Sequence, residues 1–348
     1  MIQQNLTYEE FVVEDPGSTR EAIRARLDPA SAAGLQAYLD IVGPLGINGI
    51  ANLDDRRARM RELNAVERAL TPLNPGVTID EFVVPGLAGD PEVPVRCYRR
   101  ADALPSTGAR PGVLFIHGGG MVLGDLDGDE VTAVLIADEV DAVVLSVGYR
   151  LAPEYPFPAA PHDCYAALLW FVSHAEELGV DPARVAVYGG SAGGGLSIAT
   201  ALIARDRQGP SIAFLMAIYP MIDDRGVTPS SQSILDLGAW DREGNLQAWA
   251  WYLGTGTPSA SLHAYAAPAR AADLRGLPPT FIDVGDLDLF RDEDIEFAGR
   301  LAQAEVPCEL HVYPGAFHAS ELFAPQAPLS QQIVETRMIA LRRALHGA

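Results

Sequence analysis

The residues best suited to chemistry fall in three short stretches that follow one another along the chain. The central one, Gly189-Gly190-Ser191-Ala192-Gly193, lies between a strand-like run, Arg184-Val185-Ala186-Val187-Tyr188, and an Ala/Leu/Ile-rich helical pattern. A G-x-S-x-G pentapeptide in that setting makes a sharp strand-to-helix turn that exposes the serine hydroxyl, and its glycines remove Cβ atoms that would meet the adjoining strand and helix. Ser191 would also open a helix, where free amides and the macrodipole favour negative charge. The same composition could build a plain tight turn or a phosphate loop, but no Gly-Lys-Ser/Thr follows, as a phosphate loop demands. The chemistry this serine suits is nucleophilic attack on a carbonyl carbon.

Upstream, Val113-Leu114-Phe115-Ile116-His117-Gly118-Gly119-Gly120 ends a core strand in a glycine run whose bare amides can approach a ligand closely. Acyl transfer needs donors aimed at the oxygen of the tetrahedral intermediate, each worth on the order of 3 kcal/mol. A loop of this kind works together with the amide that follows the nucleophile, here that of Ala192. The bland reading is a turn with no ligand, and it loses weight because both motifs stand in one chain in the order acyl transfer requires.

A serine hydroxyl is a weak nucleophile without a general base, and histidine suits that task near neutrality. Seven histidines compete. His318 follows the last predicted strand and lies in a loop, where the order Ser, Asp/Glu, His places the base. His117 belongs to the glycine loop and reads as a structural hydrogen-bond donor. His162 and His174 fall on or beside a helix, His311 in a strand, His263 in an insertion and His346 at the tail. The acid belongs between serine and histidine, where Asp283, Asp286, Asp288, Asp292 and Glu293 cluster. Asp292 and Glu293 suit the first turn of a helix; among the rest, Asp288 and Asp286 are the main rivals for orienting the imidazole.

These residues need a frame, and from residue 79 onward short β-branched runs alternate with helical patterns, the signature of a mostly parallel sheet covered on both faces. The predicted strands span 79–84, 93–99, 112–116, 142–147, 184–188, 213–218, 280–284 and 308–313, the first two forming an antiparallel pair. Predicted helices span 130–139, 163–178, 192–205, 292–304 and 331–345. Residues 1–75 read differently, as a helical appendage with helices over 34–41 and 54–70. Residues 225–275 break the rhythm with a long insertion that carries Trp240, Trp249, Trp251 and Tyr252, the mark of a lid or binding loop. Those aromatics either line a pocket or pack the insertion onto the core.

Three stretches together, His117-Gly118-Gly119-Gly120, Tyr149-Arg150-Leu151-Ala152-Pro153-Glu154 and Gly189-Gly190-Ser191-Ala192-Gly193-Gly194, make the chain resemble the hormone-sensitive-lipase-like (bacterial family IV) carboxylesterases of the α/β-hydrolase superfamily. The resemblance runs from about residue 79 to the C-terminus. It implies an α/β-hydrolase fold, with an eight-stranded, mostly parallel sheet flanked by helices over 76–348, capped by 1–75 and 225–275. It implies a serine esterase acting on short-to-medium acyl esters, with Ser191, Asp288 and His318 as triad and Gly119, Gly120 and Ala192 as oxyanion donors. Asp288 aligns with the first acid of the family's Asp-Pro-Leu-Arg-Asp-Glu pattern, although Leu289 replaces the proline. Arg150 and Glu154 would hold the loop beneath the site. Gly148, Gly190 and Ala319 depart from the residues the family commonly carries there; at 190 an acid or threonine is usual.

A formal charge of −21, from 25 Lys+Arg against 46 Asp+Glu, disfavours phosphate backbones and anionic lipid, so neither nucleic acid nor membrane is an expected partner. The 48% hydrophobic and 20% charged fractions fit a globular enzyme. Cys97, Cys164 and Cys308 are scattered and read as buried reduced thiols, and no spacing suggests a metal or other cofactor. The N-terminus lacks a basic start and apolar core of a secretory signal, and no apolar run nears roughly 18 residues, so a cytoplasmic protein is expected. The partner is a small-molecule ester, with room for a homodimer. An amidase, lactonase or acyltransferase could use the same triad, and a non-catalytic ligand-binding protein could use the same fold.

Overall fold

Eight strands pair into one sheet: β1 (Val77–Val84), β2 (Val93–Arg100), β3 (Arg110–Ile116), β4 (Val143–Val147), β5 (Val180–Gly190), β6 (Phe214–Ile218), β7 (Thr280–Gly285) and β8 (Cys308–Tyr313). Their spatial order is β1-β2-β4-β3-β5-β6-β7-β8. β2 runs antiparallel to both β1 and β4, and every other neighbouring pair is parallel. The computed structural model describes residues 21–102, 108–234, 237–254 and 262–347; the N-terminal segment 1–20 and parts of the insertion (235–236 and 255–261) lie outside the described residues.

The inner strands are buried on both faces, which explains their sequence. Along β3, Leu114 and Ile116 enter one core while Val113 and Phe115 enter the other. A strand with no wet face has no polar alternation to show, so it reads as an unbroken apolar run. The longer helices are α1 (Pro29–Val42), α2 (Leu53–Leu70), α3 (Glu130–Glu139), α4 (Ala159–Ser173), α5 (Ala192–Asp206), α6 (Arg242–Leu253), α7 (Arg291–Gln303) and α8 (Pro328–His346); of these α3, α4, α5, α7 and α8 pack on the strands. Side-chain caps fix several starts: Asp28 accepts from the Ser31 amide at 2.8 Å, Asn52 from Asp54 and Asp55 at 2.8 and 3.1 Å, and Asp241 from Gly244 at 2.9 Å.

Two expectations are corrected. The single helix expected over 163–178 is α4, beginning earlier at Ala159, followed by a separate turn, Ala175–Leu178. The Ser173 hydroxyl and the His174 ring both turn back on the Trp170 carbonyl, at 2.9 and 3.0 Å, and such side-chain bonds compete with the helix ladder. Cys308, expected to be buried, is only half-buried, because β8 is an edge strand; Cys97 and Cys164 are buried, and all three are free thiols. Among the described residues no helix is long and apolar enough to cross a membrane.

Helix α7 brings carboxyl groups into the core. Asp292 accepts from the Ser230 amide at 2.7 Å, and Glu293 accepts from the amides of Ile222 and Asp223 at 3.0 and 3.1 Å. Asp294 is fully buried, and neither of its oxygens meets a hydrogen-bond partner among the described residues. Burial pushes its pKa well above the ordinary carboxylate value. A group with a raised folded pKa stabilises most below its unfolded pKa of about 3.9 and loses that contribution as pH rises, by about 1.4 kcal/mol per pH unit until the folded pKa is passed. Asp294→Asn, which cannot ionise, is therefore expected to raise the melting temperature by a margin that grows between pH 5 and pH 8. A pH-independent margin in thermal melts would show that Asp294 is not a buried neutral acid.

Candidate active site

Strand β5 runs straight into the Gly189-Gly190 pair, and α5 starts at Ala192, so the chain must reverse direction at Ser191. It does so with φ 56° and ψ −120°, a conformation that costs an L-residue about 1–3 kcal/mol and persists only when neighbours over-determine it. Here the Ser191 amide donates to the Ile218 carbonyl at 2.8 Å, and the Met221 amide donates to the Ser191 carbonyl at 2.9 Å, tying the turn to the end of β6. Close packing fixes the other side. A Cβ on Gly193 would stand 2.0 Å from the Ile116 carbonyl oxygen, so only glycine lets α5 begin against the end of β3.

His318 lies in the loop after β8, and its Nε2 is 3.0 Å from Ser191 Oγ. Its Nδ1 is 2.8 Å from Asp288 Oδ2, and the Phe290 amide donates to Asp288 Oδ1 at 3.0 Å, so both oxygens of this fully buried carboxylate are engaged. With the carboxylate accepting at Nδ1, the free lone pair of the neutral ring sits on Nε2, facing the serine. Asp286, two residues away on the same turn, faces elsewhere: it accepts from the Gly315 amide at 2.7 Å and from Arg26 at 3.0 Å.

The glycine loop after β3 takes left-handed conformations at Gly119 (φ 106°) and Gly120 (φ 63°). The amides of Val122 and Leu123 donate to the Gly119 carbonyl at 3.1 and 2.8 Å, closing a tight turn. Among the described residues the amides of Gly119, Gly120 and Ala192 meet no protein acceptor. Unpaired amides are costly away from water, so a site that keeps three of them is ready for an anionic oxygen. The Tyr149 hydroxyl donates to the His117 carbonyl at 2.9 Å with its ring stacked on the imidazole at 4.1 Å, and His117 Nδ1 donates to the Gly118 carbonyl at 2.8 Å. Burial lowers the pKa of His117 and keeps its ring neutral.

Arg150 and Glu154 find partners that hold the loop before α4. Arg150 forks onto Asp163 at 2.7–3.1 Å, and Arg57 of α2 forks onto Glu154 at 2.7 and 2.9 Å. Arg57 also donates to the carbonyls of Val122 and Ala152 at 2.9 and 2.8 Å, a link between α2 and the glycine loop that no sequence signal announces. Of the three tryptophans named from the sequence, Trp240 stands against the glycine loop: a Cβ on Gly120 would lie 2.5 Å from its ring. Trp249 is buried beside Tyr252 at 5.9 Å, and Trp251 lies under the Arg56 guanidinium at 5.7 Å. A cavity of about 490 Å³ opens among Arg57, Met60, Gly124, Leu151 and Tyr155, but Ser191, Asp288 and His318 do not line it, so it is not where a scissile bond would sit. Tyr219, one residue past β6 and 4.8 Å from the His318 ring, was not singled out by its sequence; only a Tyr-Pro pair after a strand marks it.

Comparison with known proteins agrees with this architecture. The family described as the alpha/beta hydrolase fold matches residues 113–322. Esterase LipI of Mycobacterium tuberculosis is 35% identical over 92% of this chain and 97% of its own length, and carboxylesterase NlhH of the same organism is 36% identical over 93% and 98%. Among solved structures, a bacterial heroin esterase is 41% identical with a TM-score of 0.85, covering 92% of this chain and 98% of its own. Esterase LipW from Mycobacterium marinum is 36% identical with a TM-score of 0.77, covering 92% and 96%. The chain therefore belongs to the α/β-hydrolase family, within its hormone-sensitive-lipase-like serine carboxylesterases.

Proposed function

We propose that this enzyme hydrolyses carboxylic esters of short-to-medium acyl chains through an acyl-Ser191 intermediate. The observation that carries the reading is the continuous line from Ser191 Oγ to His318 Nε2 (3.0 Å) and from Nδ1 to Asp288 (2.8 Å), beside three amides without acceptors. In acylation, Oγ bonds to the carbonyl carbon as its proton passes to Nε2, and the carbonyl oxygen takes the negative charge opposite Gly119, Gly120 and Ala192. The ester C–O bond then breaks, and the departing alkoxide takes the proton back from Nε2. A water that gives its proton to the same nitrogen attacks the acyl carbon, the Oγ–carbon bond breaks as Nε2 returns that proton to Oγ, and the acid leaves with the serine hydroxyl restored.

Residues 1–75 and 225–275 form the cap in this reading. Arg57 reaching Val122, and Trp240 lying over Gly120, support it. Trp240 is then the wall that limits acyl length. The reading also places the enzyme in the cytoplasm, which three unpaired cysteines favour.

Ser191→Ala is expected to lower kcat on p-nitrophenyl butyrate by about 10⁴ to 10⁶ and to abolish labelling by a fluorophosphonate probe. Retention of most of the activity would remove Ser191 from the mechanism. Trp240→Ala is expected to shift preference toward longer chains, raising the ratio of kcat/KM for octanoate over butyrate esters by about tenfold. An unchanged ratio in an acyl-length series would show that this ring does not bound the acyl site.

A further inference from the structure

Behind the histidine lies a buried ionic network that acyl transfer does not use. Arg337 of α8 donates Nε to Asp283 at 2.7 Å and Nη1 to Glu321 at 2.6 Å, and Glu321 also accepts the Tyr219 hydroxyl at 2.7 Å. All four residues are buried. Burial opposes ionisation of both carboxyl groups. At Glu321 the pull of Arg337 and the Tyr219 hydroxyl outweighs it and lowers the pKa, whereas at Asp283 burial prevails and the pKa is raised. Glu321 is thus the firm anion of the group, and it sits three residues after His318, in the short helical turn Ser320–Phe323.

Tyr219 links this network to the reacting groups. Its ring stands edge-on to the imidazole of His318, 4.8 Å between centroids at 64°, and Phe290 flanks the same imidazole at 5.2 Å and 80°. The Arg337 guanidinium lies 5.2 Å from the Tyr219 ring centre. Tyr219 is held at φ 33°, an uncommon conformation for a bulky side chain, by its amide's 2.7 Å bond to the Asp283 carbonyl. The ring also reaches the residue before the nucleophile, since a Cβ on Gly190 would stand only 3.3 Å from it. Glycine at 190 therefore leaves this ring in looser contact than any side chain there would.

We propose that Tyr219, anchored by Glu321 and Arg337, is a positioning residue that clamps the His318 ring between the serine and the leaving group. The proposal rests on the acyl-transfer reading of Ser191 and His318. That ring must accept a proton from one oxygen and give it to another without losing Asp288, and a displacement of about 1 Å at such a step can cost as much as 10²-fold in rate. Phe290 meets the imidazole by packing alone. Tyr219 meets it with a ring whose hydroxyl is fixed to a buried anion, which sets the ring more stiffly than packing can.

The test uses the full chain, with active sites counted by fluorophosphonate titration and turnover measured on p-nitrophenyl butyrate. Tyr219→Phe, which keeps the ring and loses the anchor, is expected to lower kcat per titrated site by on the order of tenfold with KM within twofold, and Tyr219→Leu to lower it further. Gly190→Ala, which crowds the ring, is expected to lower kcat as well. Combined with Tyr219→Leu it should cost little more than Tyr219→Leu alone, because both changes act on one contact. An active parent whose Tyr219 variants keep the parental kcat per site, or lose activity only through KM or through fewer titratable sites, overturns the proposal alone. Strict additivity of Gly190→Ala and Tyr219→Leu does the same. A parent that is neither labelled nor active overturns the acyl-transfer reading and the proposal with it.

Discussion

The turn at Ser191 asks the backbone to hold a left-handed conformation that its own side chain resists, and most of the surrounding architecture can be read as the means of holding it. Strand β5 is central in the sheet, so the turn inherits rigid neighbours on both sides: β3 through the Gly193 contact with Ile116, and β6 through the bonds to Ile218 and Met221. A strain of about 1–3 kcal/mol is small beside the burial of the sheet's two cores but large for a loop. It can be held only where two packed strands end together. The same strand ends launch the glycine loop after β3 and the Tyr219 turn after β6, so Ser191, the unpaired amides and the ring beside His318 all arise from adjacent strands.

Much of this was legible in the sequence because it depends on local pattern. The inner strands could be read because burial on both faces forces unbroken β-branched runs, and the elbow because no residue other than glycine fits at 193. The choice between Asp288 and Asp286 was open for a physical reason: two acids on one turn differ only in which way they face. In the fold one meets His318 while the other meets Gly315 and Arg26. Gly190 was visible as a departure from the family pattern, yet the ring of Tyr219 that lies against it is distant in sequence. The network of Tyr219, Asp283, Glu321 and Arg337 was illegible because each member is an ordinary residue of its own element. Only the fold makes them neighbours. Arg57 was missed in the same way, as one arginine in an Arg-rich helix.

The N-terminal helices bear on both halves of the site. Helix α1 packs on the short turn that follows His318, so closely that a Cβ on Gly34 would lie 2.4 Å from the Phe323 carbonyl, with the rings of Tyr38 and Phe323 4.7 Å apart. Helix α2 reaches the glycine loop through Arg57. The loop bearing the histidine and the loop bearing the unpaired amides come from opposite sides of β5 in the sheet, and no strand pairing joins them directly. A segment that touches both adds a second constraint on their separation. Loops are the least stable parts of a fold, and ordering one costs about 1–2 kcal/mol per residue in backbone entropy alone. Helices that dock against both loops meet part of that cost when the chain folds, before any ester arrives. These N-terminal helices are for this reason part of what sets the geometry of the site.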